Sequence, residues 1–206
     1  MRIILAKPRG FCANTYILTA DDKTAVVIDP GHAGVLDELL SRGLTCAYVL
    51  LTHCHFDHVA GVSALQQAGA KVICSAAEQP LVGTRADLYE LFGAPRTPYT
   101  IDQTFVDGEK LCLCGIEFTA LVTPGHTAGC ACYQVDTENG KVLFTGDTLF
   151  AGTIGRTDFP TGDLSVLRHS LKRLAEMDGD LILYPGHEEE TRMQTERKTN
   201  PFLCDL

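Results

Sequence analysis

The sequence predicts an α/β chain with two sheets packed face to face and helices on both outer sides, a four-layer α/β/β/α sandwich. Three observations lead there. Strand runs followed by a helical pattern occur once in each half of the 206 residues. Residues 47–51 form a continuous apolar run, which suits a strand buried on both faces. No linker, short repeat or low-complexity tract divides the chain, so one domain over residues 1–206 is expected.

Taken in order, residues 14–19 and 24–28 read as strands joined by a turn at 20–23, and Asp29-Pro30-Gly31 ends the second. Residues 35–42 place Val35, Leu36, Leu39 and Leu40 on one helical face, and Gly43 stops that helix. After the 47–51 strand, residues 59–68 read as a helix and 71–74 as a strand. Residues 76–92 are expected to form one or two helices, and 93–99, with Pro95 and Pro98, a loop. The pattern then turns to strands at 110–114, 117–122, 131–135 and 141–144, with Asn139-Gly140 as a two-residue hairpin turn. A helix at 164–177, a strand at 180–184 and a helix at 191–198 follow.

Composition narrows the function classes. The chain is 45% hydrophobic and 21% charged, which fits neither a disordered nor a membrane-spanning protein. Seventeen Lys and Arg against 26 Asp and Glu give a net charge of −9. An acidic chain without a basic run is a poor binder of phosphate backbones, so neither nucleic acid nor an anionic membrane is an expected partner. Nine cysteines, an odd number mostly in apolar surroundings, point to free thiols in a reducing compartment. The N-terminal ten residues lack the long apolar core of a signal peptide, and a cytoplasmic location is expected.

The chemistry is concentrated in His53-Cys54-His55-Phe56-Asp57-His58, on the loop between a buried strand and a helix. In an extended segment His53 and His55 point to the same side, while Asp57 and His58 face a second point as the chain turns. One metal ion cannot easily take all four; two neighbouring ions can share them. Three further candidates each follow a glycine at a strand end: His126 after Pro124-Gly125, Asp147 after Gly146 and His187 after Pro185-Gly186. Glycine lets the backbone turn there and places the polar residue at the sheet's edge. Five imidazoles and two carboxylates suit zinc, iron or manganese in a site with room for water. His32 and His169 fit no such pattern and are read as ordinary histidines. Cys54, Cys130 and Cys132 are read as packing, and Asp29 either as a support for the histidines or as the cap of the next turn.

This set of residues resembles the metallo-β-lactamase fold, whose HxHxDH signature matches residues 53–58 and whose later ligands match His126, Asp147 and His187. The stretches 123–127, 146–150 and 155–159 resemble the glyoxalase II-type branch, the hydroxyacylglutathione hydrolases and their shorter relatives. The resemblance implies two divalent metal ions, zinc first, with iron or manganese as alternatives. His53, His55 and His126 would hold one ion, Asp57, His58 and His187 the other, and Asp147 would bridge them with a hydroxide. It implies hydrolysis of a small acyl-thiol such as S-lactoylglutathione, with Asp57 both coordinating and orienting the hydroxide. Arg156 would grip the thiol carrier, or else pair with Asp158 to order its loop. Tyr89, Tyr99 and Tyr184 are expected in the core or on the surface. Glu188-Glu189-Glu190 would repel the carboxylates of glutathione, unless they serve a helix N-terminus. A single-iron persulfide dioxygenase, which shares Gly155-Arg156-Thr157-Asp158-Phe159, and a hydrolase of other small esters are the competing expectations. Oligomeric state is not legible.

Overall fold

Alternation along the strands decides which layer each side chain enters. The computed structural model describes residues 1–7, 9–204 and 206. The first sheet runs β1 (Arg2–Leu5), β2 (Tyr16–Thr19), β3 (Thr24–Ile28), β4 (Thr45–Leu50), β5 (Lys71–Ser75) and β6 (Gln103–Phe105), in that spatial order. Its first three strands are antiparallel and its last four parallel. Ile17, Val27, Val49 and Val72 face one way, toward Val35 and Leu39 of α1 (Gly34–Ser41) and Val62 and Leu65 of α3 (Val62–Gln67). Their neighbours Leu18, Val26, Leu50 and Ile73 face the opposite way, into the space between the sheets.

The second sheet contributes β7 (Lys110–Leu113), β8 (Ile116–Val122), β9 (Ala131–Thr137) and β10 (Gly140–Gly146). A small hairpin, β11 (Leu149–Phe150) and β12 (Thr153–Ile154), leads to α5 (Leu164–Ala175). Asp163 caps α5 by accepting from the Val166 amide at 3.0 Å, a bond worth roughly 1 kcal/mol. Strands β13 (Ile182–Pro185) and β14 (Thr191–Arg192) complete the order β14-β13-β10-β9-β8-β7. Phe118, Tyr133 and Phe144 fill the centre against the first sheet. Leu143 and Leu183 face outward onto Leu167, Leu171 and Leu174 of α5 and Met193 of α6 (Met193–Thr199). These three apolar clusters separate four layers, so the α/β/β/α expectation holds. No helix among the described residues is long and apolar enough to cross a membrane.

Several local expectations need correction. The 59–68 helix is two pieces, α2 (Phe56–Val59) and α3, because the chain at Gly61 is drawn against the Pro30 carbonyl, 2.7 Å from the Gly61 amide. The 76–92 segment holds only 3-10 turns at 79–81 and 85–87 and the single turn α4 (Tyr89–Phe92). Pro80 and the left-handed Leu88 (φ 66°) break the helical run. The β9–β10 hairpin turns one residue earlier than expected, since Thr137 pairs with Gly140 and leaves Glu138-Asn139 as the loop. The acidic run caps no helix: β14 follows it, and Arg192 is the residue before α6. The edge strands β1, β6 and β14 and the β11–β12 hairpin are too short or too exposed to carry a periodic signal.

Candidate metal centre

All the candidate donors stand beyond the C-terminal ends of strands. Residues 53–58 follow β4; His126, Asp147 and His187 follow β8, β10 and β13. Strands β8, β10 and β13 run the same way through the second sheet, so their ends share one edge. The Gly186 amide donates to the Gly146 carbonyl at 2.8 Å, and the Ala131 amide to the Thr52 carbonyl at 2.9 Å, tying the loops together across both sheets. Gly186 is required for space rather than for its turn: a Cβ there would collide with Asp147 Oδ1 and the His58 ring. Gly125 is required for both reasons, having φ +133° and the α5 backbone at Leu167 against it.

The structure brings all seven predicted residues together. His53, His55 and His126 form one group whose donor atoms lie within 4.8 Å of one another, and Asp57, His58 and His187 form a second. The groups abut, with the His53 and His58 ring centroids 4.0 Å apart. Asp147 lies between them: Oδ1 is 3.2 Å from His58 Nε2, and Oδ2 is 3.4 Å from His126 Nε2 and 3.7 Å from His187 Nε2. On the outer side Asp57 Oδ2 is 3.2 Å from His187 Nε2. His32 and His169 bond elsewhere, His32 Nε2 at the Lys7 carbonyl and His169 at the Ser165 carbonyl. Cys54, Cys130 and Cys132 are fully buried. Tyr89 and Tyr99 pack in the outer core of the first sheet and Tyr184 in the central cluster.

Neighbouring groups fix which nitrogen each ring presents. Asp29 is buried and left-handed (φ 49°), and its Oδ1 accepts from the Thr52 amide at 2.8 Å. Its Oδ2 accepts from the Thr52 hydroxyl at 2.6 Å and from His58 Nδ1–H at 2.9 Å. Having donated its proton, the Thr52 oxygen accepts from His53 Nδ1–H at 3.0 Å. His126 Nδ1–H donates to the Arg156 carbonyl at 2.7 Å. Three rings are thereby set as Nδ1–H tautomers with Nε2 lone pairs left for the centre. Of the two alternatives for Asp29, its carboxylate takes the first: it supports the histidines, through Thr52 and His58.

The electrostatics follow from burial. It drives His53 well below the usual imidazole pKa and His55 down to about 3, with neighbouring rings adding to both. Burial opposes charge on Asp147, yet His58, His126 and His187 outweigh it and hold the carboxyl well below its ordinary value. For His58 burial is outweighed by Asp147, Asp29 and Asp57, which raise it well above 6.5.

Glu78 is a site residue that sequence reasoning missed. It is fully buried; Oε1 accepts from the Cys54 amide at 2.8 Å, and Oε2 from the Thr127 hydroxyl at 2.7 Å and the Gly129 amide at 3.1 Å. It therefore ties the loop carrying His53 and His55 to the loop carrying His126. Burial raises its pKa even against those bonds. No motif marks it; the only signal is an acid in a segment whose helical pattern is broken.

The donors fit a metal. His53 Nε2 is a buried ring nitrogen with no hydrogen-bond partner. Such a group costs about 1–3 kcal/mol when left unsatisfied, and a bound cation removes the cost where it takes the lone pair. Zinc–ligand bonds of about 2.0–2.1 Å put two donors of one ion at most about 4.2 Å apart. His55 Nδ1 and His126 Nε2, at 3.0 Å, fall within that limit. Before these donors opens a cleft of about 760 Å³, lined by His55, Asp57, His126, Asp147 and His187 among others.

A buried imidazole–carboxylate cluster at the open edge of an α/β/β/α sandwich defines a metal-dependent hydrolase. The chain belongs to the metallo-β-lactamase superfamily, whose family model matches residues 9–187. It is 36% identical over 212 aligned residues to the hydroxyacylglutathione hydrolase GloC of Haemophilus influenzae, with 98% of each chain covered. Among solved structures it resembles the BLEG-1 B3 metallo-β-lactamase, at 33% identity and a TM-score of 0.85, covering 98% of both chains. It also resembles TTHA1623 in a di-iron-bound form, at 32% identity and a TM-score of 0.82, covering 98% of this chain and 100% of that one.

Proposed function

We propose that this chain hydrolyses small acyl thioesters in the manner of the glyoxalase II-type branch, with zinc as the first choice for two divalent ions. His53, His55 and His126 are assigned to one ion, Asp57, His58 and His187 to the other, and Asp147 to both. The observation that carries the reading is the position of the Asp147 carboxylate, within 3.2–3.7 Å of imidazoles from both groups. The likeness to a named hydroxyacylglutathione hydrolase over nearly the whole of both chains supports the substrate class.

Divalent metal bound at such a site lowers the pKa of coordinated water from about 16 toward ~7. The protein's own groups do the rest. Asp29, Thr52 and the Arg156 carbonyl hold the imidazoles in the tautomer that leaves Nε2 free. Asp57 lines the cleft, where its carboxylate orients the attacking water and accepts a hydrogen bond from it. The water gives up one proton, through the Asp57 carboxylate to solvent, as its oxygen bonds to the acyl carbon and the carbonyl π pair moves onto oxygen; that pair then returns, the C–S bond breaks, and its electron pair leaves on sulfur. A thiol has a pKa near 8–9, so the thiolate departs without a protein acid.

Metal analysis with turnover of S-lactoylglutathione tests the reading. Two metals per chain and hydrolysis are the expected result. One iron per chain, with oxygen uptake on glutathione persulfide, would replace this reading with a dioxygenase. Opening of a β-lactam ring without thioester turnover would replace it with a lactamase.

A further inference from the structure

The cleft is apolar and aromatic beside the donors. Phe159 stands edge-on to His55 with ring centroids 5.9 Å apart. Phe92 stands edge-on to Phe159 at 5.9 Å, and Phe56 meets Phe92 at 5.1 Å. These three rings form one continuous wall of the cleft beside the metal donors. Phe11 and Phe92 also line the cleft and are 95% and 54% exposed. Aromatic surface held in water around a cleft marks a site that an apolar group covers.

Charge points the same way. Asp57, Asp147 and Glu188 line the cleft. Arg156 is the one Lys or Arg among the lining residues described. Its Nε and Nη2 are both spent on Asp158, at 2.6 Å each, and its guanidinium lies 3.9 Å over the Phe159 ring. The Arg156–Asp158 pair therefore extends the aromatic wall as a neutral unit. With Asp57 and Asp147 assigned to the metals, Glu188 is the acid that remains among the described lining residues to meet a carboxylate-bearing thiol carrier.

We propose that the cleft selects thioesters carrying an uncharged aryl or branched-alkyl acyl group, seated against the Phe56–Phe92–Phe159 wall, over esters of carboxylate-bearing thiols. This deepens the thioesterase reading and rests on it. The experiment compares, on the metal-loaded protein, S-phenylacetyl-N-acetylcysteamine, S-acetyl-N-acetylcysteamine and S-lactoylglutathione. The phenylacetyl ester is expected to show kcat/KM at least about tenfold above both others, since filling an aromatic pocket is worth that much. Phe92→Ala, a half-exposed position that the fold tolerates, is expected to shrink the phenylacetyl-to-acetyl ratio below about threefold. A preference for S-lactoylglutathione, or an unchanged ratio in Phe92→Ala, overturns the inference and leaves the thioesterase reading standing. If no thioester is turned over, that reading falls, and binding decides the pocket alone. The probe is then the thioether S-phenethyl-N-acetylcysteamine, titrated calorimetrically into wild type and Phe92→Ala. Saturable binding weakened about tenfold in the variant supports the aromatic seat; absence of binding to wild type refutes it.

Discussion

The inner and outer halves of the donor cluster are built differently. His53, His55 and His126 are almost fully buried, and Thr52, the Arg156 carbonyl and the Glu78 tie between their loops hold two of the rings and both backbones. In the outer half only His58 is so placed, through Asp29. The Asp57 and His187 side chains retain 20% and 32% of their exposure and face the cleft. Anchored donors lose little freedom on taking a metal, whereas exposed ones must be ordered by it. The difference teaches that the two halves are unequal as candidate metal positions: the inner one is preorganised, and the outer one is open to the cleft.

Five measurements break or sharpen that contrast. The largest effect belongs to the group common to both halves. Asp147→Ala should abolish turnover, by about a thousandfold or more, and empty both positions by elemental analysis; normal activity would defeat the bridging assignment. Next, His187→Ala should leave about one metal per chain, while His53→Ala should lose the tightly held one. Equal loss in both variants would erase the inner–outer distinction. Third, Glu78→Ala leaves two buried amides and a hydroxyl without their acceptor, so the metal-free protein should lose about 2–4 kcal/mol in denaturant unfolding. An unchanged midpoint would show that the loops do not depend on that carboxylate.

The fourth concerns pH. In the metal-free protein His58 carries a pKa raised above 6.5, so near neutrality a metal must displace its proton. Affinity should therefore fall as pH drops, by roughly tenfold per pH unit for each proton displaced, from about pH 8 to about pH 6. Chelator competition measures this, and a flat profile would show that His58 binds no proton there. The smallest effect is expected at Arg156. Because its guanidinium is committed to Asp158, Arg156→Ala should change KM for S-lactoylglutathione by less than about threefold. A large rise would restore a gripping role for Arg156.

Much of the site was legible because its donors cluster in sequence or follow glycine at strand ends. His53, His55, Asp57 and His58 announce themselves by spacing; the strand-then-helix pattern placed them on a loop, which holds for His53 and His55, whereas Asp57 and His58 stand in α2. Asp29 was legible only as one of two alternatives, because a strand-end Asp looks the same whether it caps a turn or holds a ring. Glu78 was not legible at all: its partners are 24 to 51 positions away and are mostly backbone amides, which no residue pattern records. The helix expected over 76–92 failed for a related reason, since Leu88 takes a left-handed conformation that no local preference favours.

By itself the sequence determined the alternation that sorts strands into four layers and singled out the seven residues that meet in the cluster, because periodicity and residue chemistry are local properties. Only the tertiary structure decided which nitrogen three of the imidazoles present, which half of the cluster is buried, that Arg156 is already paired, and that three phenylalanines make one wall. Those facts arise where segments far apart in the chain meet, and burial and hydrogen bonding are set at the meeting.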